Sequence, residues 1–91
     1  MSANFRILRH RTKDSLHLKL DGDFDGSAAH ELINTLIEYG TDFYQIFIDT
    51  NDLKSIHPFG RDIFEKNLRR FDKKITNLIF LGENGNIISS N

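Results

Sequence analysis

One stretch constrains the fold of this chain more than any other, the segment Ile46–Gly60 with the sequence IFIDTNDLKSIHPFG. Its first three residues form an unbroken apolar run of β-forming side chains, which favours a strand that is covered on both faces. The polar residues Asp49–Asn51 then end that strand, and a polar turn leads to Pro58. Because proline has a fixed φ and no N–H, it suits the first position of a helix, which would run from about Phe59 to Phe71. A buried strand, a loop and a helix N-terminus in succession make a place where ligands and partners dock on open α/β sheets.

The rest of the chain supplies three more strands and one more helix. Residues 5–10 and 16–20 predict an antiparallel hairpin, since the second segment alternates leucine with polar residues. Apolar residues recur at helical spacing from Ala28 to Tyr39, and Gly40 stands where a left-handed C-terminal residue is wanted. A second apolar run at 78–81 predicts the last strand. The order β-β-α-β-α-β and right-handed crossovers predict an α/β fold with a four-stranded mixed sheet, an edge position for the first strand and both helices on one face.

Length, charge and composition narrow the class of protein. Ninety-one residues make a single domain, whose ordered part we expect at about 4–82 with a tail at 83–91. A net charge of −1 and a pI near 6.4 provide no basic face for nucleic acid. The chain has no cysteine, which excludes disulfides and thiolate metal sites, and no apolar run that could cross a bilayer. We therefore expect a cytoplasmic protein that neither binds nucleic acid nor inserts into a membrane.

Two patterns suggest metal ligands, and both are weak. The segment Asp21–Gly26 matches the opening of an EF-hand calcium loop, but Leu32 stands at the twelfth position, where a glutamate is needed. Capping of the following helix by Asp25 or Ser27 explains the segment better. The four histidines include no pair at helical spacing for zinc. Neither a nucleophile elbow nor a glycine-rich phosphate loop is present, so we expect no cofactor, no metal and no enzymatic activity.

These motifs together resemble one known family, the STAS domains of bacterial anti-sigma-factor antagonists. The segment Gly22–Asp25 resembles the Gly-Glu-Leu-Asp loop that precedes the first helix of that family. Phe47–Asp49 resembles its strand ending in aspartate, and Gly60 aligns with the glycine of its Asp-Ser-Ser/Thr-Gly motif. The chain ends earlier than is usual for the family. Such a short C-terminus would leave apolar surface exposed, which predicts a homodimer or an obligate partner.

The chain departs from the family at the position that a kinase phosphorylates in the antagonists. The resemblance puts Pro58 where the family has its serine, with His57 before it and Phe59 after it. Because proline has no hydroxyl, phosphorylation at that position is impossible. Thr50 and Ser55 carry the nearest hydroxyls, and Ser55 is a weak substitute phosphosite.

The resemblance implies a regulatory protein–protein interaction module, in transcription or signalling, that lacks the phosphorylatable serine. Its partner would be a kinase-like anti-sigma factor or another STAS protein. We expect the contact surface to come from the loop before the first helix and from the start of the second helix. Its residues would be Asp23, Phe24, Asp25, His57, Pro58, Phe59, Arg61 and Asp62.

Three questions stay open from the sequence alone. The N-terminus of the second helix could instead bind a small ligand or a nucleotide. The chain could also be a STAS subunit of a larger transport or signalling complex. Finally, Phe59 is either a core residue or an exposed aromatic anchor for a partner.

Overall fold

Six elements follow one another in the order that the sequence predicts. A computed structural model describes residues 4–39, 42–71 and 78–82, and the predictions for Gly40 and for the tail at 83–91 lie outside these residues. The elements are β1 (Phe5–Arg11), β2 (Ser15–Phe24), α1 (Gly26–Tyr39), β3 (Gln45–Ile56), α2 (Pro58–Phe71) and β4 (Leu78–Leu81).

The four strands form one mixed sheet in the order β1-β2-β3-β4. β1 pairs antiparallel with β2, while β2 with β3 and β3 with β4 pair in parallel. The predicted hairpin, the parallel crossovers and the edge position of β1 are therefore confirmed. Both helices lie on the same side of the sheet, because α1 contacts β1, β2 and α2, and Phe64 of α2 packs against Phe24 of β2 in the core.

β2 and β3 are longer than the sequence predicts. The prediction that Asp49–Asn51 end β3 is wrong, since the strand continues to Ile56, and the predicted loop that starts at Asp21 is still part of β2 as far as Phe24. Two shifts of register insert one extra residue each into β3, between the partners of Lys19 and Asp21 and again between those of Gly22 and Asp23. Such bulges let a polar segment keep its pairing while its side chains turn to solvent.

The core lies between the helices and one face of the sheet. Alternate residues of β2 and β3 point into it, and Phe24 lies at its centre with no exposed surface. The rings of Phe5 and Phe64 meet Phe24 edge to face, with centroids 6.0 and 6.1 Å away. This arrangement of aromatic rings joins β1, β2 and α2.

The opposite face of the sheet, which we call the open face, carries no buried side chain among the described residues. The prediction that β3 is covered on both faces is therefore wrong, since Phe47 is only half-buried. The open face includes Arg6, Leu8, His10, His17, Lys19, Asp21, Asp23, Phe47, Asp49, Ile79 and Leu81, which are half-buried or exposed.

Candidate functional site

The first turn of α2 lies directly against the backbone that joins β2 to α1. The His57 N–H donates a hydrogen bond of 3.0 Å to the carbonyl oxygen of Phe24. A Cβ atom on Gly60 would lie 2.6 Å from the carbonyl oxygen of Asp25 and 2.7 Å from that of Phe24. Only glycine allows this approach, so Gly60 is the residue that brings the starts of the two helices together.

Both helices have well-defined starts at this point. The Asp25 carboxylate accepts the Ala28 N–H at 2.9 Å, which confirms the predicted cap of α1. In α2 the His57 carbonyl accepts the Arg61 N–H at 3.1 Å, and Pro58 occupies the first helical position as predicted. The positive ends of two helix dipoles therefore lie side by side.

Phe59 is exposed rather than part of the core. Its side chain is 70% exposed, although it stands in the first turn of α2. The ring lies over the start of α1, since a Cβ on Gly26 would be 3.0 Å from two of its ring carbons. Contact with one helix and covalent attachment to the other hold this aromatic side chain at the surface.

The other predicted contact residues fall into two groups. His57, Pro58 and Asp62 are exposed, and three more are half-buried. The half-buried residues are Asp23, Asp25 and Arg61. Phe24 is the exception: its prediction as a contact residue is wrong, because β2 continues through it and the alternation of the strand turns its side chain into the core.

Ser55 forms a polar contact that the sequence does not reveal. Its hydroxyl donates a hydrogen bond of 2.7 Å to the Asp23 carboxylate and lies 3.5 Å from Nε2 of His57. Ser55 and Asp23 become strand partners only through the second bulge of β3, which sequence patterns do not predict. The carboxylate is thus bonded to the serine and not to the imidazole, which differs from the order of contacts in a Ser-His-Asp triad. A phosphate on Ser55 would meet the negative charge of Asp23, so the structure disfavours this substitute phosphosite.

The three carboxylates of the calcium-like segment serve separate contacts. Asp21 pairs with Arg6 at 3.0 Å, Asp23 accepts the hydroxyl of Ser55, and Asp25 caps α1. Within the described ranges, no three histidine or carboxylate side chains are grouped as metal ligands. The arrangement gives no support to a calcium loop.

Two surface cavities lie away from the start of α2. One of about 340 Å³ is lined by β1 and α1, and one of about 260 Å³ by residues 4–6, 21–23 and Lys54. Neither of these two includes His57 or Phe59. In the described part of the chain, no helix has the length and apolar character needed to span a membrane.

Comparison with known proteins supports the fold. No protein-family model and no curated protein matches the sequence. Among solved structures, the STAS domain of an antisigma-factor antagonist from Rhodobacter sphaeroides is similar over 91% of both chains, with a TM-score of 0.70 and 10% identity. An uncharacterised protein from Shewanella loihica with a SpoIIAA-like fold is similar over 91% of this chain and 72% of that one, with a TM-score of 0.63 and 18% identity.

The same fold also occurs inside a longer chain. Mglu is similar over 82% of this chain, with a TM-score of 0.71 and 17% identity, but this chain spans only 19% of the Mglu chain. These likenesses confirm the predicted STAS-like α/β fold. At such identities they establish the fold alone.

Proposed function

We propose that this chain is a non-enzymatic regulatory module that acts by binding another protein at the start of α2. The contact surface, which we call the α2-start surface, consists of Asp23, Asp25, His57, Pro58, Phe59, Arg61 and Asp62. Its fold is similar to that of an antisigma-factor antagonist, which supports a kinase-like anti-sigma factor or another STAS protein as the partner. The proposed setting is bacterial, cytoplasmic and connected with transcription or signalling.

The exposed ring of Phe59 carries this proposal. Exposing 70% of a phenylalanine to water costs free energy that exposing a polar side chain would not. The ring is also pre-organised, because it rests on Gly26 and its backbone lies in a helical turn. Aromatic side chains held in place in this way dominate the energetics of many interfaces, since little side-chain entropy is lost when they are buried.

Charged groups surround the ring and would orient a partner. Asp62 is exposed, while Arg61 and Asp25 are half-buried at the same helix starts. Charges at the rim of an interface mainly affect the rate of association and the choice of partner. Phe59 would then supply affinity, and the charged rim would supply specificity.

The proline at the start of α2 defines how this module would be regulated. Pro58 is exposed and has no hydroxyl, so a kinase cannot introduce negative charge at this position. The nearest strand hydroxyl, Ser55, is already bonded to a carboxylate. The proposed module is therefore competent for binding at all times, and control of its activity would come from its amount or from its partner.

Site-specific photo-crosslinking tests the surface directly. A photoreactive phenylalanine is placed at position 59, or as a matched control at Tyr44, which is 73% exposed and lies before β3. After irradiation in the native host, we expect one protein to crosslink through position 59 and not through position 44. With that protein purified, Phe59→Ser should weaken binding at least about tenfold, as expected for a hot-spot aromatic residue. Equal capture by both positions, or unchanged affinity of Phe59→Ser, would contradict the proposal.

A further inference from the structure

A row of ring and aliphatic side chains crosses all four strands on the open face. His10 is the register partner of His17, His17 of Phe47, and Phe47 of Ile79. The rings of His17 and Phe47 are stacked with centroids 4.7 Å apart, and the ring of His10 meets that of His17 at 6.1 Å. The row is thus continuous from one edge of the sheet to the other.

A second row runs beside the first and has a different pattern. Leu8 and Leu81 stand at its two ends, 45% and 39% exposed, and the opposite charges of Lys19 and Asp49 stand in its middle. The positive charge is on β2, and the negative charge is on β3. This asymmetry, with a cation on β2 beside an anion on β3, is the observation from which we infer what covers the open face.

We propose that a second copy of this chain covers the open face, with the two sheets packed about a two-fold axis that runs parallel to the strands between β2 and β3. Such an axis places β2 of one copy opposite β3 of the other and β1 opposite β4, so that each residue faces a residue of its own row. Lys19 then faces the Asp49 carboxylate of the second copy, and His17 faces Phe47 of that copy. At the ends of the rows Leu8 faces Leu81. The contacts in the two rows are therefore between rings and aliphatic side chains, between leucines, or between opposite charges.

The other simple arrangement does not have this complementarity. A two-fold axis perpendicular to the strands would exchange the two rows, so that Lys19 would face His17 and Asp49 would face Phe47. Asp49 would then be desolvated against a ring, and Lys19 would keep its bond to Asp52 within the chain but gain no opposite charge from the second copy, which is unfavourable. The distribution of charge thus selects the strand-parallel axis, which also gives the aligned packing of a β-sandwich with about 10 Å between the sheets.

Two ion pairs within one chain lie on or beside these rows. Arg6 bonds to Asp21 at 3.0 Å, and Lys19 bonds to Asp52 at 3.0 Å. The hydrogen bond from Lys19 to Asp52, together with the negative charges of Asp52, Asp49 and Asp21, raises the pKa of Lys19. Lys19 is therefore cationic at neutral pH, as the contact with Asp49 of the second copy requires.

This dimer goes beyond the proposed function and uses a different part of the molecule. Apart from Asp23, which lies near the end of β2 on the side of the open face, the α2-start surface lies in α2 and in the turns before the two helices. None of its residues belongs to the two rows, so it stays accessible in both copies. A dimer of this kind would present two such surfaces and bind a bivalent partner with enhanced avidity.

The oligomeric state of the full chain provides the first test. Sedimentation equilibrium should fit a monomer–dimer model. Phe47→Asp should weaken the dimer at least about tenfold, since it puts a charge into the first row, opposite His17 of the second copy. Ile37→Asp is the matched control, because Ile37 is 55% exposed on α1, away from the open face, and its dimer should be unchanged. A full chain that is monomeric at millimolar concentration would overturn the proposal.

A mixing experiment tests the axis itself and does not depend on Phe47. Lys19→Glu and Asp49→Lys each bring like charges together across the axis, so each variant alone should dimerise at least about tenfold more weakly. Mixed in equal amounts, they should form a heterodimer, in which Glu at 19 of one copy faces Lys at 49 of the other and the native pair is restored in the second contact. Failure of the mixture to associate more strongly than either variant would overturn the proposed axis. Phe59→Ser should leave the dimer intact, so failure of the dimer and failure of the proposed function are separate results.

Discussion

Replacement of Gly60 by alanine tests whether the contact between α2 and the β2–α1 junction determines the position of the α2-start surface. The new methyl carbon would lie 2.6 Å from the carbonyl oxygen of Asp25, which belongs to the backbone and cannot rotate away. Separation to 3.0 Å requires a movement of at least 0.4 Å between two packed elements. That movement would also stretch the 3.0 Å hydrogen bond from the His57 N–H to the Phe24 carbonyl.

The expected loss of stability follows from these opposing effects. Overpacking against a rigid neighbour costs about 1–3 kcal/mol. Weakening of one backbone hydrogen bond adds about 1 kcal/mol, while alanine regains up to about 1 kcal/mol of helix propensity over glycine. We expect Gly60→Ala to lower the free energy of unfolding by about 2 kcal/mol, which corresponds to about 8–16 °C in Tm for a domain of this size.

Gly26→Ala is a matched control, because it makes the same chemical change in the first turn of the other helix. Its new methyl carbon would meet the ring of Phe59 at 3.0 Å, and this ring is 70% exposed, so a shift of a few tenths of an ångström toward solvent relieves the contact while the ring stays over the start of α1. We expect its stability to stay within about 0.5 kcal/mol of the native chain. Urea unfolding of both variants at one protein concentration measures the difference. Equal stability of the two variants would refute the claim that backbone contact at Gly60 holds the two helix starts together.

Two further substitutions test contacts that frame the site. Asp25→Ala should lower the free energy of unfolding by about 1 kcal/mol, because α1 loses its cap, whereas Asp25→Ser should keep most of the native stability, because serine also caps helices. Urea titration measures both variants, and equal losses of stability would argue against capping. Thr50→Val removes the hydrogen bond of 2.6 Å from the buried Thr50 hydroxyl to the Leu81 carbonyl and should cost about 1 kcal/mol. A valine variant with native thermal stability would mean that this bond does not hold β4 to β3.

Local patterns were sufficient to predict the helices and the order of the strands. The helical spacing of apolar residues in α1 and the proline at the first position of α2 depend only on neighbours in the sequence. Right-handed crossovers then determine how the parallel strands lie beside one another. These rules require no knowledge of distant contacts, so the topology could be derived before any coordinates.

The ends of β2 and β3 depend on distant contacts and could not be derived in the same way. Asp49–Asn51 have the composition of a turn, yet the segment stays in the sheet because β2 pairs with it and two bulges accommodate its extra residues. The same pairing decides the contact of Ser55 with Asp23. Strand propensity measured residue by residue contains no information about a bulge that arises between two strands.

The two phenylalanines of the predicted surface show how contacts that are distant in the sequence affect the site. Phe24 was expected in a loop and lies in the core, because continuation of β2 turns it inward. Phe59 could have been in the core and is exposed, because the apolar side of α2 is formed by later residues such as Phe64. The residue type suits a contact in both cases, but the end of β2 decides which way Phe24 faces, and the apolar side of α2 decides which way Phe59 faces.

A small domain gains little from exposing apolar side chains, so the region around Phe59 and the apolar region of the open face each need an explanation. Phe59 stands on the helix side and Phe47 on the open face, with the sheet between the two regions. One partner of ordinary size could not cover both without enclosing the domain, whereas a second copy on one side and a regulatory partner on the other would cover each. The two binding reactions should therefore be independent of each other. The Phe59→Ser variant should lose the partner and keep the dimer. The Phe47→Asp variant should still bind the partner, but as a monomer with a single binding site and without the gain in avidity. Loss of both reactions from either variant would mean that the two regions form one interface, and the division of roles would then be wrong.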